Sequence, residues 1–127
     1  MELRLGAMNF GKRTSARDAE SILDAALERG ITHVDTANAY NGGESERIVG
    51  AWAKRRRGQV TLATKVGFGQ AAGKPEGLSR ARVLAACDES LGRLGVDAVD
   101  LYYLHVPDHV TPIEETIDAL AELFRAQ

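Results

Sequence analysis

The sequence lacks the features that direct a protein out of a reducing, aqueous compartment. It contains a single cysteine, Cys87, so an internal disulfide is impossible and no oxidising compartment is implied. No apolar run approaches the roughly 20 residues that a helix needs to cross a bilayer. The N-terminus also lacks the charged, then apolar, then small-residue pattern of a signal peptide. We therefore expect a globular protein of the cytoplasm that does not bind membranes.

An excess of charge of one sign is missing as well. Sixteen lysines and arginines stand against eighteen aspartates and glutamates, which gives a formal net charge of −2. A nucleic-acid-binding protein usually carries a basic excess gathered on one face, so we expect no nucleic-acid partner. Hydrophobic residues make up 44% of the sequence and charged residues 27%, a composition that allows a packed core and argues against disorder.

Apolar segments alternate regularly with segments of helical periodicity. Strands are predicted over residues 3–10, 31–35, 60–65 and 98–105. Helices are predicted after the capping residues Thr14 and Ser15, over residues 45–54, from the cap Ser79 to Leu94, and after Thr111 with Pro112. The order βαβαβαβα predicts an α/β fold with a parallel sheet and right-handed crossovers. At 127 residues the sequence is too short for a complete eight-unit βα barrel, which takes about 250.

The apolar positions of the predicted helices indicate which faces are buried. In the second helix, Trp52 is expected to pack between helix and sheet. The third helix has its apolar stripe at Val83, Leu84, Cys87, Leu91 and Leu94, and the fourth at Ile113, Ile117, Leu120 and Phe124.

Reactive side chains fall at the ends of the predicted strands. Asp35, Lys65 and His105 are each the last residue of a different predicted strand, and Tyr40 lies in the loop after the first of these. In barrels and open α/β sheets alike, ligands bind at the carboxyl ends of the strands. The four side chains are therefore expected to converge on one end of the sheet.

These four residue types suit one kind of chemistry. A nearby ammonium stabilises the ionised form of a tyrosine, and a carboxylate beside the lysine keeps that ammonium charged and oriented. Tyr40 with Lys65 and Asp35 would form a general acid and base, while a neutral His105 would hydrogen-bond a carbonyl oxygen. Protonation of a carbonyl oxygen while hydride arrives at carbon is reduction of an aldehyde or ketone, which requires a nicotinamide cofactor.

Several separated motifs resemble one family. Val34–Tyr40 (VDTANAY) with Asn41–Glu46 (NGGESE) resembles the signature around the catalytic aspartate and tyrosine of the aldo-keto reductases. Further segments along the whole chain are similar to this family and occur in the same order as they do there. They are Leu5–Gly11 (LGAMNFG), Leu62–Lys65 (LATK), Ser90–Leu94 (SLGRL) and Val99–His109 (VDLYYLHVPDH). Within the family, the aflatoxin-aldehyde reductase branch is the one most similar in sequence to the segments Leu104–His109 and Thr111–Thr116 (TPIEET).

The resemblance implies a (β/α)8 TIM barrel and NADPH-dependent reduction of a small carbonyl substrate. Tyr40 would donate the proton, Lys65 would favour its ionised form, and His105 would orient the carbonyl. Asp35 would contact both the lysine and the nicotinamide ribose, and Met8 would lie near the cofactor. Residues 1–127 would be the N-terminal half of the barrel, an incomplete domain of four βα units. Because later strands supply most of the cofactor site in this family, we expect this fragment to be inactive alone.

Other interpretations remain open at this stage. The chain could be a non-catalytic fragment or a half-barrel module, and its open sheet edges favour self-association. A doubly wound domain with helices on both faces would also fit the element order.

Two motifs favour other ligands only weakly. His33, Asp35, His105, Asp108 and His109 suggest a metal site, but Pro107 interrupts the helical spacing that His105 and His109 would need. We therefore expect no metal. Gly67–Ala72 matches the permissive form of the dinucleotide fingerprint, but Gly73–Gly77 prevents the helix that this fingerprint must open.

Overall fold

The computed structural model describes residues 3–56, 58–71 and 73–126. Among the described residues, four α-helices alternate with four parallel strands, as the sequence predicts. Short 3-10 helices at Tyr40–Gly43 and Lys54–Arg56 flank the second α-helix, and a short antiparallel hairpin is inserted before the third. In chain order, the strands and α-helices are β1 (Arg4–Gly6), α1 (Ala16–Glu28), β2 (His33–Asp35), α2 (Glu44–Ala53), β3 (Thr61–Val66), β4 (Gln70–Ala71), β5 (Lys74–Pro75), α3 (Arg80–Leu94), β6 (Leu101–Leu104) and α4 (Ile113–Ala126).

The strands of the main sheet lie in the order β1-β2-β3-β6, and every neighbouring pair is parallel. Each strand therefore pairs with the next parallel strand along the chain, and the order never reverses. A doubly wound sheet reverses its strand order at a switch point, so that alternative is wrong for the residues that the structure describes. Sequential parallel pairing is the arrangement of consecutive βα units in a barrel.

All four helices cover the same face of the sheet. Val34 pairs with Leu62 in register, and both pack in a core cluster with Leu23 of α1 and Trp52 of α2. A second cluster joins Val66, on the same side of β3 as Leu62, to α3 and α4 through Val83 and Ala119. The opposite face, which we call the inner face, carries the alternate residues of each strand. Most of these are polar: Arg4, His33, Asp35, Thr61, Lys65 and Tyr103.

The predicted caps Ser15 and Ser79 are present, whereas the predicted cap Thr111 is wrong: α4 begins at Ile113, and the Thr111 hydroxyl donates to Asp108 instead. Ser15 accepts a hydrogen bond from the Asp18 amide at 3.1 Å, and Ser79 accepts one from the Arg82 amide at 3.3 Å. Each bond satisfies an amide that has no partner inside its helix. Gly95 ends α3 in the left-handed region, with φ 67°, as a glycine in this position can do without strain.

The predicted buried face of α4 is wrong in part. Ile113, Ile117 and Phe124 are exposed, Phe124 to 83%, and only Leu120 of the predicted set is half-buried. The helix instead turns Thr116 and Ala119 inward, where the small side chains allow close approach to α3, and the Thr116 hydroxyl donates to the Leu78 carbonyl at 2.8 Å. The larger apolar side chains consequently lie on the surface.

Several predicted strand bounds also differ. β1 is shorter than residues 3–10 because a turn follows it, in which the carbonyl of Asn9 accepts bonds from the amides of residues 12–14. β3 extends one residue past Lys65, and β6 ends at Leu104, so His105 comes directly after the strand. Residues 67–71 form a turn and hairpin strand rather than the start of a helix, which excludes a dinucleotide fingerprint there; Ala72 lies outside the described residues.

Candidate active site

The side chain of Lys65 contacts two of the other predicted site residues, Asp35 and Tyr40, and the loop between them. Its Nζ donates to Asp35 Oδ2 at 2.6 Å and to the Thr36 carbonyl at 2.7 Å, and it lies 3.4 Å from the Tyr40 hydroxyl. The ammonium also lies 4.9 Å from the centre of the Tyr40 ring. Because the lysine side chain is only 14% exposed, little water competes for these contacts. The ammonium is thus held between a carboxylate and a phenol.

The loop that carries Tyr40 is fastened to the loop after β1. Asn41 has φ 54°, in the left-handed region that asparagine tolerates better than most residues. Its side-chain amide donates to the carbonyls of Met8 and Phe10 at 3.0 and 2.7 Å. These bonds fix the residue next to Tyr40. The role of Asn41 was not predicted, although an asparagine before two glycines is a common signal of such a turn.

His105 lies beside this cluster. Its ring centre is 5.6 Å from that of Tyr40 in an edge-to-face arrangement. Burial, together with the positive charge of Lys65, lowers the pKa of the imidazole below its usual value. The ring is therefore neutral near pH 7, with one nitrogen as donor and the other as acceptor. Its Nδ1 is buried and has no hydrogen-bond partner among the described residues.

Phe68 completes the cluster, and its place in the site was not predicted from the sequence. Its ring centre lies 5.2 Å from that of His105, although 63% of the residue is exposed. The turn after β3 presents it above the carboxyl end of the sheet. The signal was a single aromatic residue in a glycine-rich loop directly after a strand.

A cavity of about 480 Å³ opens on the inner face beside the cluster. Asp35, Lys65 and His105 line it, together with Arg4, Gly6, Tyr103 and Leu104. Arg4 donates to the Tyr103 hydroxyl at 2.7 Å, which joins the two outermost strands of the sheet across this face. Gly6 leaves open space where a larger residue would place a side chain. The cavity has room and polar groups for one end of a bound cofactor or substrate.

The predicted cofactor-binding residue Met8, and Asp108 of the weak metal motif, do not line this cavity. Met8 is exposed in the turn after β1 and is not among the cavity-lining residues. Asp108 accepts bonds from the amides of Leu78, Val110 and Thr111 and from the Thr111 hydroxyl. Within residues 3–56, 58–71 and 73–126, no three histidine, cysteine or acidic side chains are placed to hold a metal ion.

The fold and the site together define a class. Sequential βα units with a lysine, an aspartate, a tyrosine and a histidine at the carboxyl ends of parallel strands are features of a barrel-type α/β protein with its ligand site at that end. The family model described as "Aldo/keto reductase family" matches residues 2–126, and the chain belongs to this family.

Individual relatives support the same assignment. The chain is 42% identical over 124 residues to the human aldo-keto reductase family 7 member A3, covering 94% of this chain and 36% of that protein. It is 41% identical over 125 residues to the aldo-keto reductase YhdN of Bacillus subtilis, covering 96% of this chain and 38% of the relative. The holo form of aldo-keto reductase AKR11C1 from Bacillus halodurans superposes with a TM-score of 0.87 at 43% identity, covering 98% of this chain and 42% of that one.

The chain therefore spans about two-fifths of the length of these relatives. None of the described helices is long and apolar enough to cross a membrane.

Proposed function

We propose that this chain carries the proton-donating part of an aldo-keto reductase site that reduces small aldehydes or ketones to alcohols with NADPH. The observation that supports this most directly is the position of the Lys65 ammonium, in contact with both the Asp35 carboxylate and the Tyr40 hydroxyl. A phenol is a weak acid, and a cation within about 4 Å stabilises the phenolate that remains after proton transfer.

In this proposal, Tyr40 gives its hydroxyl proton to the carbonyl oxygen of the substrate. Lys65 stabilises the phenolate by charge, and Asp35 holds the ammonium in place and keeps it protonated. His105 is neutral at physiological pH because its pKa is lowered, so it can hydrogen-bond the carbonyl oxygen without adding a second strong acid.

The cofactor assignment follows from the family, whose members use NAD(P)H. NADPH rather than NADH is our proposal. Asp35 would hold the ribose next to the nicotinamide, and the open space at Gly6 would leave room for it. By the family resemblance alone, the exposed Met8 would also lie near the cofactor, outside this cavity. When bound, the cofactor supplies the hydride. Because these residues reach only one end of the cofactor, we expect residues 1–127 alone not to turn over. We also propose a cytoplasmic location, in keeping with the free, buried Cys87.

A second candidate is a non-catalytic half-barrel module that associates with a second copy. It is supported by the exposed apolar side chains Ile113, Ile117 and Phe124 of α4. Two of these, Ile117 and Phe124, line a cavity together with Tyr102 of the outermost strand β6. This proposal concerns assembly and is tested separately.

The test of the catalytic proposal compares the chain with a hybrid. Residues 1–127 are joined to the remainder of the Bacillus halodurans enzyme, in place of the part that they match. NADPH oxidation is followed with 4-nitrobenzaldehyde. The hybrid should turn over, the isolated chain should not, and Tyr40→Phe should abolish turnover in the hybrid.

Tyr102→Phe is the matched control because it removes the same hydroxyl outside the cavity, where it donates to the Val83 carbonyl at 3.2 Å. It should keep turnover at some cost in stability. A hybrid whose Tyr40→Phe variant reduces the aldehyde as fast as its parent would refute the assignment of Tyr40. Turnover by the isolated chain would refute the expected dependence on the residues that the Bacillus halodurans enzyme contributes.

A further inference from the structure

The side chain of Glu76 receives hydrogen bonds from three separate segments. It lies between the β4–β5 hairpin and α3, and only 3% of it is exposed. Oε2 accepts from the amides of Gly67 and Gly69 at 2.8 and 3.2 Å. Oε1 accepts from Asn38 Nδ2 at 2.7 Å and from Arg82 Nε at 3.0 Å. Four donors thus converge on one buried carboxylate.

Two of these bonds fix the segment that presents Phe68. Gly67 and Gly69 flank Phe68 on both sides, and the Glu76 amide donates back to the Gly69 carbonyl at 3.0 Å. The Phe68 side chain is largely exposed, so packing around it contributes little to its position. The orientation of its ring toward His105 therefore depends on the backbone that Glu76 holds.

A third bond extends to the loop of Tyr40. The Asn38 amide donates to the Lys65 carbonyl at 3.1 Å while its side chain donates to Glu76, and Tyr40 follows two residues later. The position for a Cβ on Gly69 lies 3.7 Å from Ala39 Cβ, so the loops after β2 and β3 are in direct contact here. Glu76 is the charged group that both loops share.

We propose that Glu76 is a positioning residue that holds Phe68 against His105 and locks the Tyr40 loop to the loop after β3. Its consequence for catalysis rests on the proposed function, whereas its effect on geometry does not. A carboxylate that served only to neutralise Arg82 would not need the three other donors. Arg82 also has a second acidic partner, Glu89, which accepts from Nη1 and Nη2 at 3.0 and 2.6 Å.

The test uses nuclear magnetic resonance on the whole 127-residue chain and follows the proton–carbon signals of the His105 ring. Phe68→Ala first measures how far the Phe68 ring current displaces those signals. Glu76→Ala should then displace them in the same direction and to a similar extent, and the double variant should add little to either single one. Glu89→Gln is the matched control, because it removes an Arg82 partner without touching either loop, and should leave the His105 signals in place.

The proposal would be overturned if the His105 signals of Glu76→Ala coincided with those of Glu89→Gln. It would also be overturned if the displacements caused by Glu76→Ala and Phe68→Ala simply added up in the double variant. If Glu76→Ala does not fold, Glu76→Gln carries the same comparison. In either orientation its amide nitrogen would face two of the four donors and its oxygen would still accept from the other two. A smaller displacement in the same direction is therefore expected, and no displacement would refute the proposal. Because the measurement needs no turnover, an inactive hybrid enzyme would count against the proposed function and leave this result unaffected.

Discussion

Lys65 and Asp35 form an ion pair across neighbouring strands, with 2.6 Å between Nζ and Oδ2 and both side chains largely shielded from water. Lys65→Met would leave the Asp35 carboxylate without its cation. We expect the free energy of unfolding to fall by about 1–3 kcal/mol, the usual cost of a shielded polar group that loses its partner. Urea denaturation measures the change. Adding Asp35→Asn to Lys65→Met should restore part of the lost free energy of unfolding. Lys54→Met, on the surface, should change the free energy of unfolding by less than about 0.5 kcal/mol. Equal losses of unfolding free energy in Lys65→Met and Lys54→Met would contradict the shielding of the Lys65–Asp35 pair from water.

Glu46 is the most deeply buried charge among the described residues. Its side chain is 0% exposed, Oε2 accepts from Arg93 Nε at 2.5 Å, and Oε1 accepts from the Thr64 hydroxyl at 2.6 Å. Glu46→Ala should lower the free energy of unfolding by about 3–5 kcal/mol, because it leaves Arg93 without its buried partner. The control is Glu44→Ala, an exposed glutamate in the same helix turn, for which a loss below about 1 kcal/mol is expected. Similar midpoints of thermal unfolding for the two variants would refute this ranking.

His105 should titrate below about pH 6.5, the value of an exposed imidazole, because burial and the charge of Lys65 lower its pKa. The unfolded chain then binds this proton more readily than the native one. The corresponding stability is present above about pH 6.5 and is lost as the pH falls toward the lowered pKa. Titration of the His105 ring signals measures the midpoint directly. Phe68→Ala, which admits water to the ring, should raise it, and a midpoint above 6.5 in the unaltered chain would be inconsistent with the structure.

Asp108 should make the fold sensitive to acid. Bonds from the Val110 amide, the Thr111 hydroxyl and the Leu78 amide lower the pKa of its carboxyl well below the usual range. A lowered carboxyl pKa contributes stability above about pH 4, and this is lost as the pH falls toward the folded-state value. Asp108→Asn should therefore flatten the decline in the urea midpoint below pH 4. Asp118→Asn, on the exposed side of α4, should leave the decline of the urea midpoint with falling pH as it is in the unaltered chain. If Asp108→Asn also leaves that decline unchanged, the result would argue against the bonds to Asp108.

Self-association is the expected outcome for a sheet with two unpaired outer strands, β1 and β6, among the described residues. Ile117 and Phe124 of α4 add an exposed apolar surface beside β6. Size-exclusion chromatography with light scattering should give a mass above 13.7 kDa that falls on dilution. Ile117→Asp with Phe124→Ser should shift the chain toward the monomer, whereas Asp118→Ser should not. A monomer at all accessible concentrations would refute the half-barrel assembly proposal.

Most of the element order could be predicted from local signals. Ser15, Ser79 and Gly95 act within one turn of their own helices, so the sequence around each is sufficient to predict the cap. The convergence of Asp35, Lys65 and Tyr40 could be predicted for a related reason. Parallel strands all end at one edge of the sheet, so the ends of successive strands are close together whatever the details of packing.

The sequence by itself therefore determined the alternation of strands and helices, the caps of α1 and α3 and the edge of the sheet where the reactive residues meet. Only the tertiary structure decided which face of α4 is buried, because its periodicity also allows the stripe of Thr116 and Ala119, and fit against α3 selects the smaller residues. It also decided the positions of Phe68 and Glu76, since their contacts join segments that are distant along the chain. Local propensity determines elements, whereas long-range contacts determine how their faces and loops meet.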